Sequence, residues 1–173
     1  MGNLMAPKAT FKTRVQVNDS YDWKDVTTEQ LFANKRVVVF SLPGAFTPTC
    51  TTFQLPGFDA KYGEFKALGI DEVYCASVND SFVMNAWFRQ LQIQNVKPIP
   101  DGNGDFTRKM GFLVEMKPNG FGERSWRYAI IVNNGEIEHI FEEDGFEDNV
   151  PVNDDPYVET TPEVLLNYIK GGN

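Results

Sequence analysis

The residue of this chain with the clearest capacity for chemistry is a cysteine, Cys50, at the end of the sequence PGAFTPTC. A thiolate is a strong nucleophile and is readily oxidised, so the surroundings of this sulfur decide what it can do. A run of β-branched residues over 35–42 precedes the segment, and a helical pattern over 49–68, bent near Pro56, follows it. This order predicts a buried strand, a loop with proline and glycine, and a helix that begins at the cysteine.

The start of this helix favours ionisation of the thiol. Pro48 disfavours helical geometry at Thr47, so we expect the helix to begin after Thr47, with Thr49 as its N-cap. Cys50 then lies in the first turn, where unpaired backbone N–H groups and the helix dipole stabilise a thiolate. A lone cysteine is often only a small buried side chain, and the local pattern leaves this alternative open.

The remaining patterns predict the elements that position this segment. Loose alternation in the first 24 residues predicts short strands or a hairpin, and Thr27 begins a short helix. Further along, the predicted order is strand, helix, β-hairpin and helix: 71–79, 81–94, 127–133 with 136–141, and 161–170. The helix over 81–94 is expected to bury one face: Phe82, Val83, Ala86 and Trp87. Together these elements predict one domain over 1–173 with an α/β, thioredoxin-like fold: a central mixed β-sheet with helices on both faces.

Charge and hydropathy exclude several classes of partner. The chain of 173 residues has 24 acidic and 16 basic side chains and a net charge of −8. This charge repels nucleic acid and anionic membrane surfaces, and no dense cluster of lysine and arginine offsets it. The apolar runs are far shorter than the roughly 20 residues needed to span a bilayer, and the N-terminal residues lack a signal-peptide pattern. We therefore expect a cytoplasmic protein that binds neither nucleic acid nor membrane.

Several motifs together resemble the peroxiredoxin family. PGAFTPTC resembles its active-site signature, P-x-x-x-T-x-x-C, with Pro43, Thr47 and Cys50 at the three fixed positions. The sequence SWRY resembles the segment that carries the family's catalytic arginine, which gives Arg127 that place. Further matches lie along the chain: LPGF at 55–58, SVND at 77–80, FVMNAW at 82–87 and PDGNG at 100–104. As a set they resemble the subfamily of plant type II peroxiredoxins and bacterial peroxiredoxin–glutaredoxin hybrids.

The resemblance implies a thiol peroxidase that reduces hydrogen peroxide and alkyl hydroperoxides, with no bound metal or organic cofactor. Cys50, open to a small oxidant, would attack the peroxide and become a sulfenic acid. Thr47, Arg127 and backbone N–H groups would bind the peroxide oxygens, and Pro43 would shield the thiolate from water. Full ionisation gains at most roughly 30-fold in rate, and the lower basicity of the thiolate removes about tenfold of this gain. Most of the acceleration is therefore expected from the hydrogen-bond donors.

The second cysteine bears on how the sulfenic acid would be recycled. Cys75 lies in the predicted buried strand 71–79, where a packed core thiol is the simpler interpretation, and the chain has no third cysteine. We therefore predict a one-Cys cycle in which external glutathione or glutaredoxin reduces Cys50, with thioredoxin as another candidate reductant. Gln54 stands where many relatives carry a histidine, so chemistry that relies on that imidazole is not carried over.

Four further expectations concern assembly, an alternative function and two surface features. The resemblance implies a homodimer packed edge to edge near the active-site loops, involving Phe46 and Phe82. A different class of function also fits Cys50, namely a non-catalytic redox sensor that relays its oxidation to a partner protein. His139 is expected to be a solvent-exposed strand residue, and the acidic stretch 142–155 is expected to be a solvated surface loop.

Overall fold

The structure, a computed structural model, describes residues 4–146 and 155–171 of the chain. Its strands and helices are, in chain order, β1 (Thr10–Val17), β2 (Ser20–Thr27), α1 (Thr28–Phe32), β3 (Arg36–Leu42), α2 (Leu55–Ala60), α3 (Tyr62–Ala67), β4 (Glu72–Ser77), α4 (Ser81–Gln90), β5 (Lys97–Pro100), α5 (Asp105–Met110), β6 (Leu113–Glu115), β7 (Glu123–Ser125), β8 (Tyr128–Asn133), β9 (Glu136–Glu142) and α6 (Pro162–Ile169). A π-helical turn, Cys50–Gln54, leads into α2, and a 3₁₀ turn, Lys117–Asn119, lies between β6 and β7.

Strand β3 lies at the centre of a five-stranded sheet in the order β5-β4-β3-β8-β9. It pairs in parallel with β4 and antiparallel with β8, so the sheet is mixed. Residues 37–42 are all buried, which is why this β-branched run shows no alternation of polar and apolar side chains. The side chains still point alternately to two faces, because Val38 and Phe40 belong to one apolar cluster and Val37 and Val39 to another.

Helices cover both faces of this sheet. The first apolar cluster holds inward side chains of α2, α3, α4 and α6, together with both cysteines, Cys50 and Cys75. The second cluster, on the other face, includes Phe11 of β1, Phe32 of α1 and Phe106 of α5. This arrangement confirms the predicted thioredoxin-like α/β fold. Within the two described ranges, no helix combines the length and the apolar character needed to cross a membrane.

Local sequence signals correctly predicted several element boundaries. Strands β1 and β2 form the hairpin expected near the N-terminus, and Thr27 caps α1 through a capping box with Gln30. Asn134 and Gly135, with φ angles of 49° and 84°, form the tight turn between β8 and β9. Two consecutive left-handed residues are what an Asn-Gly hairpin turn provides. The last helix, α6, also starts where the sequence predicts, with Pro162 in its first turn and the Thr161 side chain as its cap.

The face that α4 turns towards the core differs from the prediction. Asp80 caps this helix and so fixes its first turn. The buried side chains of the helix are Ser81, Met84, Trp87 and Phe88. Phe82 is 57% exposed, and its ring packs edge-on against Trp23 of β2 at a centroid distance of 5.5 Å. Trp87 is buried as predicted and Val83 packs against the first apolar cluster, but Phe82 does not face the core, because the helix has more apolar residues than one face can hold.

Candidate active site

The helix that carries Cys50 begins earlier than the sequence predicts. Pro48 is its first helical residue, and Thr49 already has helical angles (φ −63°, ψ −43°) and caps nothing with its side chain. The prediction of Thr49 as N-cap is therefore wrong. The fixed φ of proline suits the first helical position, where its missing N–H costs nothing. The N–H of Thr51 already bonds the carbonyl of Thr47 at 3.0 Å, and Cys50 stays in the first turn.

A widened helical turn follows directly. The N–H of Leu55 donates to the carbonyl of Cys50, five residues earlier, which makes Cys50–Gln54 a π-helical turn. Pro56 explains the widening, because it has no N–H and its ring would clash with the carbonyl four residues before it. The bend predicted near Pro56 is thus realised as a π turn, a feature that is frequent at functional sites.

The side chain of Arg127 reaches the sulfur of Cys50. Its Nη2 lies 3.2 Å from Cys50 Sγ, and its Nε donates to Gln54 Oε1 at 2.7 Å. Its Nη1 donates to the carbonyl of Pro156 at 2.7 Å and lies 2.6 Å from Asp155 Oδ1. Arg127 is only 1% exposed, and its four partners, which lie in two other chain segments, fix the orientation of the guanidinium.

Arg127 stays charged in this buried position. Burial opposes the charge, but the nearby Cys50 and Asp155 outweigh this cost, and the pKa of the guanidinium is raised above its ordinary value. The ring of Tyr157 lies 5.6 Å from the guanidinium carbon and adds a cation–π contact. A permanent cation at the sulfur is the arrangement that favours a thiolate over a thiol.

The loop 43–47 is held from several sides. Its Ala45 N–H donates to Asn79 Oδ1 at 3.0 Å, and the carbonyl of Pro43 accepts a bond from Arg124 Nη1 at 3.0 Å. Phe46 has a φ of +65°, in the left-handed region that is uncommon for residues other than glycine. Such strained backbone persists only where the surroundings determine it, and it is frequent at functional sites.

The hydroxyl of Thr47 is engaged within the loop. Its Oγ1 donates to the carbonyl of Gly44 at 2.7 Å. Because this bond uses the hydroxyl proton, the oxygen retains two lone pairs with which it can accept a hydrogen bond from a hydroperoxide. Pro43, the first residue of this loop, is buried. The catalytic roles of Thr47 and Pro43 stay predictions.

The sulfur of Cys50 is more enclosed than the sequence predicts. Cys50 is 0% exposed and packs in the first apolar cluster with Leu42 and Leu55. The expectation of a sulfur open to a small oxidant is therefore not met in this conformation. At the loop, Phe46 packs its ring near Trp87, at 6.5 Å between centroids, while remaining 47% exposed. Because Cys50 is fully buried, a peroxide reaches the sulfur only after side chains that cover it move aside.

A buried carboxylate holds the segment that supports Arg127. Glu143, from the acidic stretch predicted as a solvated loop, is 1% exposed. Its carboxylate accepts the backbone N–H groups of Val158, Glu159 and Thr160 and the Thr160 hydroxyl, at 2.7–3.1 Å. This anchors the chain just after residues 155–156, which contact Arg127. The surface-loop prediction is wrong for Glu143, while residues 147–154 of the same stretch lie outside the described residues.

The second cysteine has a different environment. Cys75 lies inside β4, opposite Phe40 of β3 and Pro98 of β5, and is fully buried. Burial, followed by the charge of Cys50, raises the pKa of the Cys75 thiol well above its ordinary value. The thiol therefore stays protonated, as expected for a core side chain. His139 is exposed on β9 as predicted, with its ring stacked on Tyr168.

The fold and the site together define the class of protein. Cys50 lies at the start of the helix that follows the central strand of a thioredoxin-like sheet, and a buried arginine contacts its sulfur. This is the arrangement of a thioredoxin-like protein whose chemistry uses one cysteine near a cation rather than two adjacent cysteines.

Comparison with known proteins identifies the family. A family model described as Redoxin matches residues 3–155. A peroxiredoxin of Rhizobium etli is 54% identical over 169 residues, covering 95% of this chain and 93% of that protein. The hybrid peroxiredoxin hyPrx5 of Haemophilus influenzae is 47% identical over 98% of this chain and 66% of its own length. The crystal structure of a Plasmodium falciparum antioxidant protein, a 1-Cys peroxiredoxin, superposes with a TM-score of 0.91, at 32% identity over 99% of this chain. The chain belongs to the peroxiredoxin family, which supports a thiol peroxidase role.

Proposed function

We propose that this protein reduces hydrogen peroxide and alkyl hydroperoxides through Cys50 and is recycled by external glutathione or glutaredoxin. The observation that carries the proposal is the buried guanidinium of Arg127, with Nη2 at 3.2 Å from Cys50 Sγ. A sulfur held this way is a nucleophile with a hydrogen-bond donor beside it, and this is what attack on a peroxide requires.

The oxidation step is a two-electron displacement on the peroxide. The Cys50 thiolate bonds to one peroxide oxygen, and the O–O bond breaks with its electron pair on the other oxygen. That oxygen takes up a proton and leaves as water or an alcohol, while the sulfur becomes a sulfenic acid. The guanidinium of Arg127 and backbone N–H groups near Cys50 stabilise the charge on the separating oxygens. One such donor contributes on the order of 10²–10³ in rate.

Thr47 and Pro43 prepare the peroxide for this attack. The Thr47 oxygen accepts the hydroperoxide proton, because its own proton is used by the Gly44 carbonyl at 2.7 Å. The buried ring of Pro43 excludes water from the sulfur. Both contributions align the O–O bond and keep the thiolate poorly solvated.

The sulfenic acid is reduced from outside the chain. A glutathione thiol condenses with it, releases water and forms a mixed disulfide. A second thiol, from glutathione or glutaredoxin, then attacks this disulfide and frees Cys50. The buried, protonated Cys75 supports this one-Cys cycle, because a thiol with a raised pKa is a poor internal nucleophile. Thioredoxin is the alternative reductant, and the reduced glutathione pool of the cytoplasm fits a cytoplasmic location.

A homodimer forms through the surface next to this site. Four large aromatic side chains are exposed here or nearby: Trp23, Phe46, Phe53 and Phe82. Exposed apolar side chains of this size favour burial against a partner copy. Sedimentation at micromolar concentration is expected to give the mass of a dimer for the wild type and a monomer for Phe82→Asp. A wild-type monomer contradicts this part of the proposal.

Counting turnovers tests the catalytic proposal. With glutathione and glutaredoxin present, each molecule is expected to consume many equivalents of hydrogen peroxide. Mass spectrometry should find a sulfenic acid at Cys50 without reductant and a glutathione adduct when only glutathione is added. Consumption that stops near one equivalent in the presence of each reductant would instead support a redox sensor.

A further inference from the structure

A second arginine lies beside the same loop and plays no part in the mechanism above. Arg124 lies in β7, outside the central sheet, and is half-buried. Its Nη1 donates to the carbonyl of Pro43 at 3.0 Å and its Nε to the carbonyl of Phe121 at 3.1 Å. The Phe121 ring lies 5.3 Å from the guanidinium carbon. Phe121 therefore contacts the guanidinium on its Nε side, while Nη1 of Arg124 reaches the loop 43–47.

The loop is shaped to receive this guanidinium. A Cβ built on Gly44 would lie 2.1 Å from Arg124 Nη1, so the guanidinium occupies the space that any other side chain at this position would fill. Gly44 thus allows the close approach of Arg124, and its backbone angles do not themselves call for glycine, since it is not among the residues with positive φ. The glycine of PGAFTPTC has a physical explanation in Arg124.

Two neighbouring carbonyls of the loop are fixed by this arrangement. Arg124 binds the carbonyl of Pro43, and the Thr47 hydroxyl binds the carbonyl of Gly44. These bonds set the path of the backbone that leads into the first turn at Cys50. Losing the Arg124 bond would free one of the two adjacent peptide units and loosen the loop.

Arg124 also interacts electrostatically with the sulfur. Burial lowers the pKa of Arg124, and the charge of Cys50 partly reverses this effect, so the two groups influence each other. Asp155 offsets part of the charge of Arg127, whereas Arg124 forms no ion pair with any carboxylate in residues 4–146 and 155–171. The coupling with Cys50 means that the positive charge of Arg124 adds to that of Arg127 near the sulfur.

We propose that Arg124 is a positioning residue for peroxide reduction, which holds the loop 43–47 in place over Cys50 and adds a second positive charge that favours the thiolate. This inference rests on the proposed role of Cys50. Arg124 acts through its hydrogen bond to the loop and through the electric field of its charge. Arg127 remains the group that contacts the sulfur.

The first test separates charge from geometry. Arg124→Gln is expected to raise the pH midpoint of Cys50 alkylation by iodoacetamide by about half a unit and to slow peroxide reduction about tenfold. Arg124→Lys keeps the charge but cannot bond the carbonyls of both Pro43 and Phe121 as the guanidinium does. Its alkylation midpoint should therefore match that of the wild type, while its peroxide rate should stay below the wild-type rate. Arg108→Gln is the matched control, because Arg108 lies exposed on α5 at the other face of the sheet.

The second test uses the fit between Gly44 and Arg124. Gly44→Ala should displace the flexible end of Arg124 and reproduce much of the effect of Arg124→Gln. In the Arg124→Gln background the same alanine should add little, because the obstructing guanidinium is gone. Additive effects of the two substitutions would overturn the proposal.

The readouts distinguish failure of this proposal from failure of the proposed function. If the wild type consumes no peroxide, the alkylation midpoint still tests whether Arg124 acts on the thiol. If Arg124→Gln keeps the wild-type midpoint and the wild-type peroxide rate with an intact circular dichroism spectrum, Arg124 has no positioning role. If Arg124→Gln loses the folded spectrum, Arg124→Lys decides instead, and a wild-type peroxide rate in this variant would overturn the positioning role.

Discussion

Cys50 and Cys75 share one apolar cluster and are both fully buried, yet their surroundings differ. Cys50 begins a helix and has a guanidinium nitrogen 3.2 Å from its sulfur. Cys75 lies within a central strand, and burial raises the pKa of its thiol. The difference teaches that burial does not decide the reactivity of a cysteine. In the proposed function, the cation in contact with Cys50 and the position of Cys50 at a helix start make the difference.

The largest expected effect comes from removing the reactive member of this pair. Cys50→Ser should abolish peroxide reduction, because a serine hydroxyl at neutral pH is not a comparable nucleophile. Stopped-flow measurement of peroxide consumption, with the folded state checked by circular dichroism, tests this. Turnover close to that of the wild type would contradict the assignment of Cys50.

A smaller effect is expected when the cation is removed and the sulfur kept. Arg127→Gln removes the charged group that contacts the Cys50 sulfur and leaves Arg124 as the remaining nearby cation. The peroxide rate should fall by more than tenfold while the protein remains folded, since glutamine retains hydrogen bonding but not the charge. The second-order rate constant with hydrogen peroxide measures this, and a decrease of less than threefold would show that Arg127 is not needed at the sulfur.

The smallest effect is expected at Cys75. Cys75→Ala should change the peroxide rate by less than about twofold, because its protonated thiol takes no part in the cycle. Peptide mapping under non-reducing conditions, after one equivalent of peroxide, should find Cys50 oxidised and no intramolecular disulfide. A Cys50–Cys75 disulfide as the main product would remove the contrast between the two cysteines.

The parts of the fold that the sequence predicted are those set by local patterns. The unbroken run over 35–42 identified the central strand, and the Asn-Gly pair at 134–135 identified the hairpin at the sheet edge. Thr27 and Thr161 marked two helix starts through their own side-chain caps. The prediction of Thr49 as N-cap was wrong because the helix already begins at Pro48.

The parts of the site that the sequence did not predict depend on contacts between distant segments. Arg124 bonds the carbonyl of Pro43, 81 residues away. Every residue has a backbone carbonyl, so the sequence does not indicate which carbonyl an arginine will bind. Glu143 looked like one acid among several in a charged stretch, and only the folded chain shows it buried against residues 158–160. The place of Arg127 was predicted from the resemblance to a family rather than from local pattern.

The hydrogen bonds between Glu143 and residues 158–160 have a consequence for the nascent chain. During synthesis, Cys50 leaves the ribosome before Arg127 does, and both appear before Asp155 and residues 158–160. Domains acquire their structure as the polypeptide emerges, so the guanidinium of Arg127 gains its full set of partners only after residues 155–160 have been synthesised. A nascent chain that stops short of these residues lacks the contacts that orient Arg127 towards Cys50.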